Sequence, residues 1–242
     1  MELELPLEAV LETLSTGEIG VSGQFVWGSN HTFLVEVGST LGRLQAVYKP
    51  AEGEQPLWDF PAHSLARREV AAYLVSEALG WELVPPTVLR SDGPGGGGSL
   101  QLYLPADPER HYFTFEPAEK QRLRPAALLD ILINNADRKA GHVLLSADGH
   151  LWLIDHGVCF HEDYKLRTVI WDFAGEPIPA ALLAAVEQFR SRLDDGRGLR
   201  AQLAPLLSKA EIGALKVRTD RLLAERQFPH PGSDRPFPWP LV

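Results

Sequence analysis

The pattern of hydrophobic and polar positions changes along the chain, and in the first part it predicts a β-sheet. Residues 3–14 place apolar side chains at helical spacing, which predicts a short helix. Runs rich in Val, Phe, Tyr and Thr follow at 23–27, 31–37 and 43–49. Turn-like sequences separate these runs, so we predict an antiparallel β-meander.

One long helix and two further strands are predicted after the meander. Apolar residues recur at three- to five-residue steps through 63–80, and Gly80 suits the C-cap of such a helix. The runs 84–90 and 99–105 are typical of strands. The glycine-rich segment between these two runs predicts a flexible hairpin loop.

The second part of the chain is predicted to be mainly helical. The expected elements are helices over 124–137 and 179–192, one or two helices within 199–226, two short strands over 141–146 and 150–157 joined by a turn at Asp148-Gly149, and an extended proline-rich tail over 228–242. The predicted fold class is therefore α+β. It consists of a β-rich N-lobe with one long helix, 1–105, and an α-rich C-lobe, 106–242.

Net charge, cysteine content and the length of apolar runs limit the partners and the cellular compartment that we expect for this protein. The 242 residues are 45% hydrophobic, enough for one core or for two lobes that share a cleft. The formal net charge of −9 argues against non-specific binding to a nucleic acid such as DNA or to an anionic membrane. A single cysteine, Cys159, excludes an intrachain disulfide, and no apolar run approaches the ~18 residues that span a bilayer. The N-terminal residues are acidic, unlike a signal peptide, so we expect a cytoplasmic protein with no transmembrane segment.

Two carboxylates stand out because the predicted elements bring them to one edge. Asp137 is expected at a helix end, and Asp155 ends an apolar strand 18 residues later. A pair placed in this way suits phosphoryl transfer, in which one carboxylate orients an acceptor hydroxyl and the other holds a metal ion. Upstream, Lys49 ends the third strand, and Glu69 on the long helix could pair with its ammonium group.

These motifs together resemble a small bacterial, actinobacterial-type branch of the phosphatidylinositol 3-/4-kinase-related superfamily, with HipA-type kinases as more distant relatives. The resemblance covers roughly residues 20–160. It rests on Tyr48-Lys49-Pro50, the helix and strand start over 67–87, Asn-Asn-Ala-Asp-Arg-Lys-Ala-Gly-His over 134–142, and Leu-Trp-Leu-Ile-Asp-His-Gly over 151–157. It implies a two-lobed protein-kinase-like fold, ATP, and a divalent cation, Mg²⁺ or Mn²⁺.

The resemblance also implies roles for individual residues. Lys49 would contact the nucleotide phosphates, with Glu69 as its partner, and Asp155 would bind metal. Asp137 would be the catalytic-loop aspartate. The loop that covers the phosphates would contain Ser29 and Asn30, and the hinge strand beside adenine would contain Gln101, Leu102 and Leu104.

Three positions depart from the pattern of the superfamily. His142 stands where an asparagine would bind the second metal, and a histidine nitrogen suits Mn²⁺ better than Mg²⁺. Lys139 replaces a histidine and could supply positive charge to the transition state. His156 replaces the usual phenylalanine before glycine. The sequence therefore predicts an ATP-dependent phosphotransferase that acts on a hydroxyl of a lipid, protein or small polyol, with lipid-surface contact left open. The alternative is a nucleotide-binding pseudokinase that acts as a sensor or scaffold.

Overall fold

A five-stranded antiparallel sheet forms the first part of the computed structural model, which describes residues 5–25, 31–232 and 235–242. The strands, in chain order, are β1 (Glu18–Phe25), β2 (Thr32–Ser39), β3 (Gly42–Pro50), β4 (Thr87–Gly93) and β5 (Gly96–Leu102). Their order in the sheet is β1-β2-β3-β5-β4. The predicted meander is present as β1 to β3, and the β4–β5 hairpin continues the sheet from β3.

Two helices pack against this sheet. The first is α1 (Leu7–Thr16), and the second is α2 (Leu65–Leu79), which ends at Gly80 in the left-handed conformation predicted for a C-cap. Side chains alternate across β3, so buried Ala46 and Tyr48 pack in one cluster with Val10 and Leu14 of α1. Lys49 follows Tyr48 and therefore points to the other face of the sheet, towards α2.

The glycine-rich segment is largely strand rather than the slack loop that its composition predicts. β4 extends to Gly93 and β5 begins at Gly96, with a tight turn between them. A Cβ atom on Gly93 would lie 2.1 Å from Cζ of the buried Tyr48 ring, and a Cβ on Gly98 would lie 2.3 Å from the Lys49 carbonyl oxygen. Glycine is needed here because neighbouring groups approach the backbone closely.

Helices dominate after β5. They are α3 (Pro117–Gln121), α4 (Arg124–Ile133), α5 (Ala180–Asp194), α6 (Leu199–Leu203) and α7 (Lys209–Glu225), and a two-stranded hairpin of β6 (Val143–Leu145) and β7 (Leu151–Leu153) lies between α4 and α5. Buried apolar residues of α4, α5, α6 and α7 share one core with α2. The predicted boundary at residue 105 falls in the segment between β5 and α3.

The second part departs from the sequence prediction at one important place. Helix α4 ends at Asn134, whose backbone is left-handed at φ 54°, so Asp137 lies in a loop and not at the helix end. In the described part of the chain, no helix has both the length and the apolar character needed to cross a membrane. The described residues after Gln227 form neither helix nor strand, as predicted for the tail.

Candidate active site between the lobes

A lysine and two carboxylates from three separate elements meet between the two lobes. The Nζ atom of Lys49 on β3 lies 2.5 Å from Oε1 of Glu69 on α2 and 3.0 Å from Oδ1 of Asp155, which follows β7. We call these three residues the cleft cluster. Burial alone would lower the pKa of Lys49, but Asp155 and Glu69 more than offset this effect and raise it. Lys49 therefore carries its positive charge at neutral pH.

Glu69 is held in place from both sides. Its Oε1 pairs with Lys49, and its Oε2 accepts a hydrogen bond of 2.8 Å from the backbone N–H of His156. The side chain is buried, so both acceptors are shielded from solvent. Gly157 lets α2 approach this turn, because a Cβ there would lie 3.2 Å from Cβ of Leu65. Helix α2 and the Asp-His-Gly turn therefore form one unit.

Asp155 presents its carboxylate towards the cleft. Its backbone is left-handed, at φ 62°, which is rare for a residue other than glycine and turns the chain sharply after β7. The Lys49 ammonium holds the pKa of Asp155 well below its usual range. The ionised side chain is 51% exposed, so it can accept a cation from solution.

Asp137 lies on a loop whose shape is set by its neighbours. Its backbone N–H donates to Oδ1 of Asn135 at 2.9 Å, and its carboxylate lies 3.3 Å from Nζ of Lys139. Burial raises the pKa of Asp137 to about 6, although Lys139 opposes this shift. A carboxyl group with a pKa near neutrality is suited to accept a proton.

A buried polar network supports this loop from beneath. Arg138 is fully buried, and its guanidinium binds the carboxylate of Asp130 at 3.0–3.2 Å, the carbonyl oxygen of Ile154 at 2.7 Å and Nε2 of His156 at 2.7 Å. Asp130 also accepts a hydrogen bond from Thr168. The network joins the loop that carries Asp137 to the turn that carries Asp155.

The proton on His156 can be assigned from these contacts. Burial, and then the positive charge of Arg138, lowers the pKa of His156 well below its usual value, so its ring is neutral. Arginine can only donate, so Nε2 of His156 accepts and the proton lies on Nδ1. Nδ1 has no hydrogen-bond partner among the described residues and lies 3.8 Å from Oε2 of Glu69.

His142 faces Asp155 as a neutral ring. Burial lowers the pKa of His142 to about 4, and its Nε2 lies 3.3 Å from Oδ2 of Asp155. The backbone N–H of Lys139 donates to Nδ1 at 3.4 Å, which leaves the proton on Nε2. Binding of a metal ion at Nε2 would first require that proton to move to Nδ1.

The side chains at Asp155 fit a cation whose remaining coordinating atoms come from a bound ligand. Within residues 5–25, 31–232 and 235–242, no group of three His, Cys, Asp or Glu side chains could hold an ion. Mg²⁺ in nucleotide sites is bound through one or two carboxylates, with phosphates and waters supplying the other oxygens. Asp155 fits that role, and His142 is its nearest possible helper.

The predicted hinge residues pack and form hydrogen bonds within the N-lobe. The side chains of Leu102 and Leu104 are buried in the core under α1, and that of Gln101 donates to Thr87. The backbone N–H of Leu102 donates to the Pro86 carbonyl oxygen. Ser29 and Asn30 lie outside the described residues.

Sequence reasoning missed several residues of the site. Arg68 is buried and donates to the Cys159 carbonyl oxygen at 2.7 Å, although Arg67-Arg68-Glu69 is typical of an exposed charged helix face. Arg138 and Asp130 give no local signal of burial either.

The fold and the arrangement of these residues define a protein with a two-lobed, kinase-like fold. A solved structure, that of the proinflammatory kinase CtkA from Helicobacter pylori, aligns with a TM-score of 0.54 over 89% of this chain and 94% of its own, at 12% identity. No family model matches the chain.

The sequence comparisons place the chain in a family. Protein Rv2133c of Mycobacterium tuberculosis is 43% identical over 94% of this chain and 93% of its own length, and the chain belongs to the Rv2133c family. Plant proteins match in part. Phosphatidylinositol 4-kinase gamma 4 of Oryza sativa is 35% identical over 46% of this chain, and phosphatidylinositol 4-kinase gamma 3 of Arabidopsis thaliana is 28% identical over 53%. The matched segments span only 24% and 28% of those two plant proteins.

Proposed function

We propose that this protein is an ATP-dependent phosphotransferase related to the phosphatidylinositol 3-/4-kinases. The observation that carries the proposal is the cleft cluster, in which one ammonium group and two carboxylates meet although 106 residues separate Lys49 from Asp155. The partial matches to plant phosphatidylinositol 4-kinases support the same conclusion. Kinase sites need a lysine for the phosphates, a carboxylate that fixes it, and a carboxylate for the metal ion.

Each residue has a separate task in this proposal. Lys49 binds the phosphate oxygens of ATP, and Glu69 orients its ammonium group. Asp155 holds a divalent cation, Mg²⁺ or Mn²⁺, which would neutralise phosphate charge when bound. Asp137 orients the acceptor hydroxyl and accepts its proton, and Lys139 adds positive charge nearby.

The test is transfer from γ-labelled ATP with Mg²⁺ or Mn²⁺. Asp155→Ala should abolish metal-dependent turnover and leave the thermal unfolding midpoint near that of the native chain. Glu162→Ala removes an exposed carboxylate from the same segment and should have no effect. Equal turnover by Asp155→Ala and the native chain would refute the assignment.

A nucleotide-binding pseudokinase is the second candidate, and His142 is the observation that favours it. Its Nε2 proton faces Asp155 where the superfamily has an asparagine oxygen, which disfavours a second metal ion. This reading predicts that ATP raises the thermal unfolding midpoint and that no turnover occurs with either metal ion. Measurable phosphoryl transfer would exclude it.

A further inference from the structure

A cavity of about 340 Å³ lies under the C-terminal tail and shares no lining residue with the cleft cluster. Its walls are mainly aromatic, and one carboxylate is among them. The residues that matter here are Tyr112, Phe113, Trp171, Asp172, Phe237 and Leu241. The volume lies near the lower end of the range for small-molecule sites.

The cavity adjoins the loop that carries Asp137. The backbone N–H of Val169, another lining residue, donates to the carbonyl oxygen of Arg138 at 3.1 Å. The carbonyl oxygen of Leu241 accepts a hydrogen bond of 2.8 Å from the N–H of Ala140. Arg138 and Ala140 flank Lys139 in the chain. Two walls of the cavity are therefore attached to the backbone on either side of the lysine that contacts Asp137.

Its polar groups are held in fixed positions. The Trp171 indole N–H donates to the carbonyl oxygen of Pro236 at 3.1 Å, which sets the ring against the tail. The Tyr112 hydroxyl donates to Oδ2 of Asp172 at 2.7 Å, and burial raises the pKa of Tyr112, so this hydroxyl stays protonated. Phe113 and Phe237 are about half exposed, at 46% and 49%.

The chemistry of the walls selects the charge of a ligand. Aromatic faces attract cations, and an ammonium group with several aromatic neighbours is a recurrent case of such binding. Asp172 adds a negative charge on the same cavity. No lysine or arginine of the described chain is among the lining residues. The Lys120 ammonium lies 4.5 Å from the centroid of the Tyr112 ring, so this aromatic ring already contacts a cation.

We propose that this cavity binds the acceptor substrate, a small alcohol that carries an ammonium group. The proposal rests on the proposed function and names its acceptor class. The acceptor oxygen forms a bond to the γ-phosphorus of ATP, the bond from that phosphorus to the β–γ bridging oxygen breaks, ADP leaves, and the hydroxyl proton passes to Asp137.

Binding is tested without ATP by titration calorimetry with choline and with its neutral isostere 3,3-dimethylbutan-1-ol. Choline should bind at least about fivefold more tightly, because only choline gains the cation–π and carboxylate interactions. Asp172→Asn keeps an acceptor for Tyr112 and should reduce the preference, because only the carboxylate interaction is lost. Asp163→Asn, an exposed acid outside the cavity, and Lys49→Met, in the cleft cluster, should both retain it.

Several results would overturn the proposal. These are no binding of choline, equal binding of the isostere, a preference that is undiminished in Asp172→Asn, or tighter binding of myo-inositol 1-phosphate than of choline.

The acceptor role has its own measurement. With ATP and Mg²⁺ or Mn²⁺, choline should accelerate ADP formation in the native chain, and the same choline concentration should accelerate it less in Asp172→Asn. Choline that binds without accelerating a protein that does turn over ATP would overturn the acceptor role. Absence of ATP turnover under every condition would instead refute the proposed function, while the choline-binding result would stand.

Discussion

The guanidinium of Arg68 lies 2.5 Å from Oε1 of Glu211, and this ion pair connects α2 of the N-lobe to the start of α7 in the C-lobe. The same arginine donates to the Cys159 carbonyl oxygen, four residues after Asp155. Helix α2 carries Glu69, so the position of the lysine partner depends on a contact with the far lobe. A buried pair of this kind is sensitive to loss of one member.

The first prediction concerns this connection. Glu211→Gln should lower the free energy of unfolding by about 2 kcal/mol, because Arg68 would keep a buried charge without its counter-ion. Glutamine can still accept the Ser208 N–H at the start of α7, so the cap is retained. Glu225→Gln removes the exposed Arg221 pair on the same helix and should change stability by less than about 0.5 kcal/mol. Urea denaturation measures both, and equal effects would contradict the structure.

The second prediction is a pH profile. In the proposed function, Asp137 accepts a proton only when it is ionised, and its pKa is about 6. We therefore expect kcat/KM to rise about tenfold per pH unit below 6 and to level off above it. Lys139→Met should move the rise to higher pH, because Lys139 lowers the pKa of Asp137. A rise that stays in place in this variant would exclude Asp137 as the titrating group.

The third prediction is that ionisation of Asp137 destabilises the folded protein. Its pKa is 3.8 in an unperturbed chain and about 6 in the fold, so the folded state binds more protons between these values and stability falls as the pH rises through them. At pH 8, Asp137→Asn should therefore have a higher thermal unfolding midpoint than the native chain and no transferase activity. A lower midpoint at pH 8 would contradict the raised pKa.

The fourth prediction concerns metal preference. His142→Asn replaces a ring nitrogen by an amide oxygen, which is a better ligand for Mg²⁺. We expect half-maximal turnover at a lower Mg²⁺ concentration and a smaller advantage for Mn²⁺. Titration of both metal ions at saturating ATP measures this. If the Mg²⁺ and Mn²⁺ curves are the same as for the native chain, His142 takes no part in metal binding.

The fifth prediction tests the glycine-rich hairpin. Gly93→Ala places a Cβ atom against the buried Tyr48 ring and should cost about 2 kcal/mol of stability. Gly23→Ala, in β1, has no described atom within 4 Å of the new Cβ and should be nearly neutral. Thermal unfolding of the two variants gives the comparison, and similar midpoints would show that the ring can move aside.

Much of the architecture could be predicted from local pattern. Alternation along β3 separates buried Tyr48 from Lys49, and helical spacing with a terminal glycine defines α2 almost to the residue. The motif order also suggested that Lys49, Glu69 and Asp155 would meet, and the structure brings them within hydrogen-bond distance. These features depend on a few neighbouring residues, and that is the range over which periodicity carries information.

Other features could not be read from neighbouring residues. Asp137 was expected at a helix end, but Asn134 ends α4 in a left-handed conformation that helical spacing does not signal. The glycines of the β4–β5 hairpin suggested a slack loop, because the Tyr48 ring that requires Gly93 lies on another strand. The contact that requires Gly93 is invisible to local composition, whereas Asn134 is a residue type that favours a left-handed helix end.

The sequence by itself determined the strand pattern, the long helix and the identity of the residues in the cleft cluster. Only the tertiary structure decided that Arg68 and Arg138 are buried, and that the tail lines a cavity beside the loop that carries Asp137. A buried charged residue needs partners, and those of Arg68 include Glu211, which lies 143 residues away in the chain. That compensation is a property of the assembled fold and leaves no local trace in the sequence.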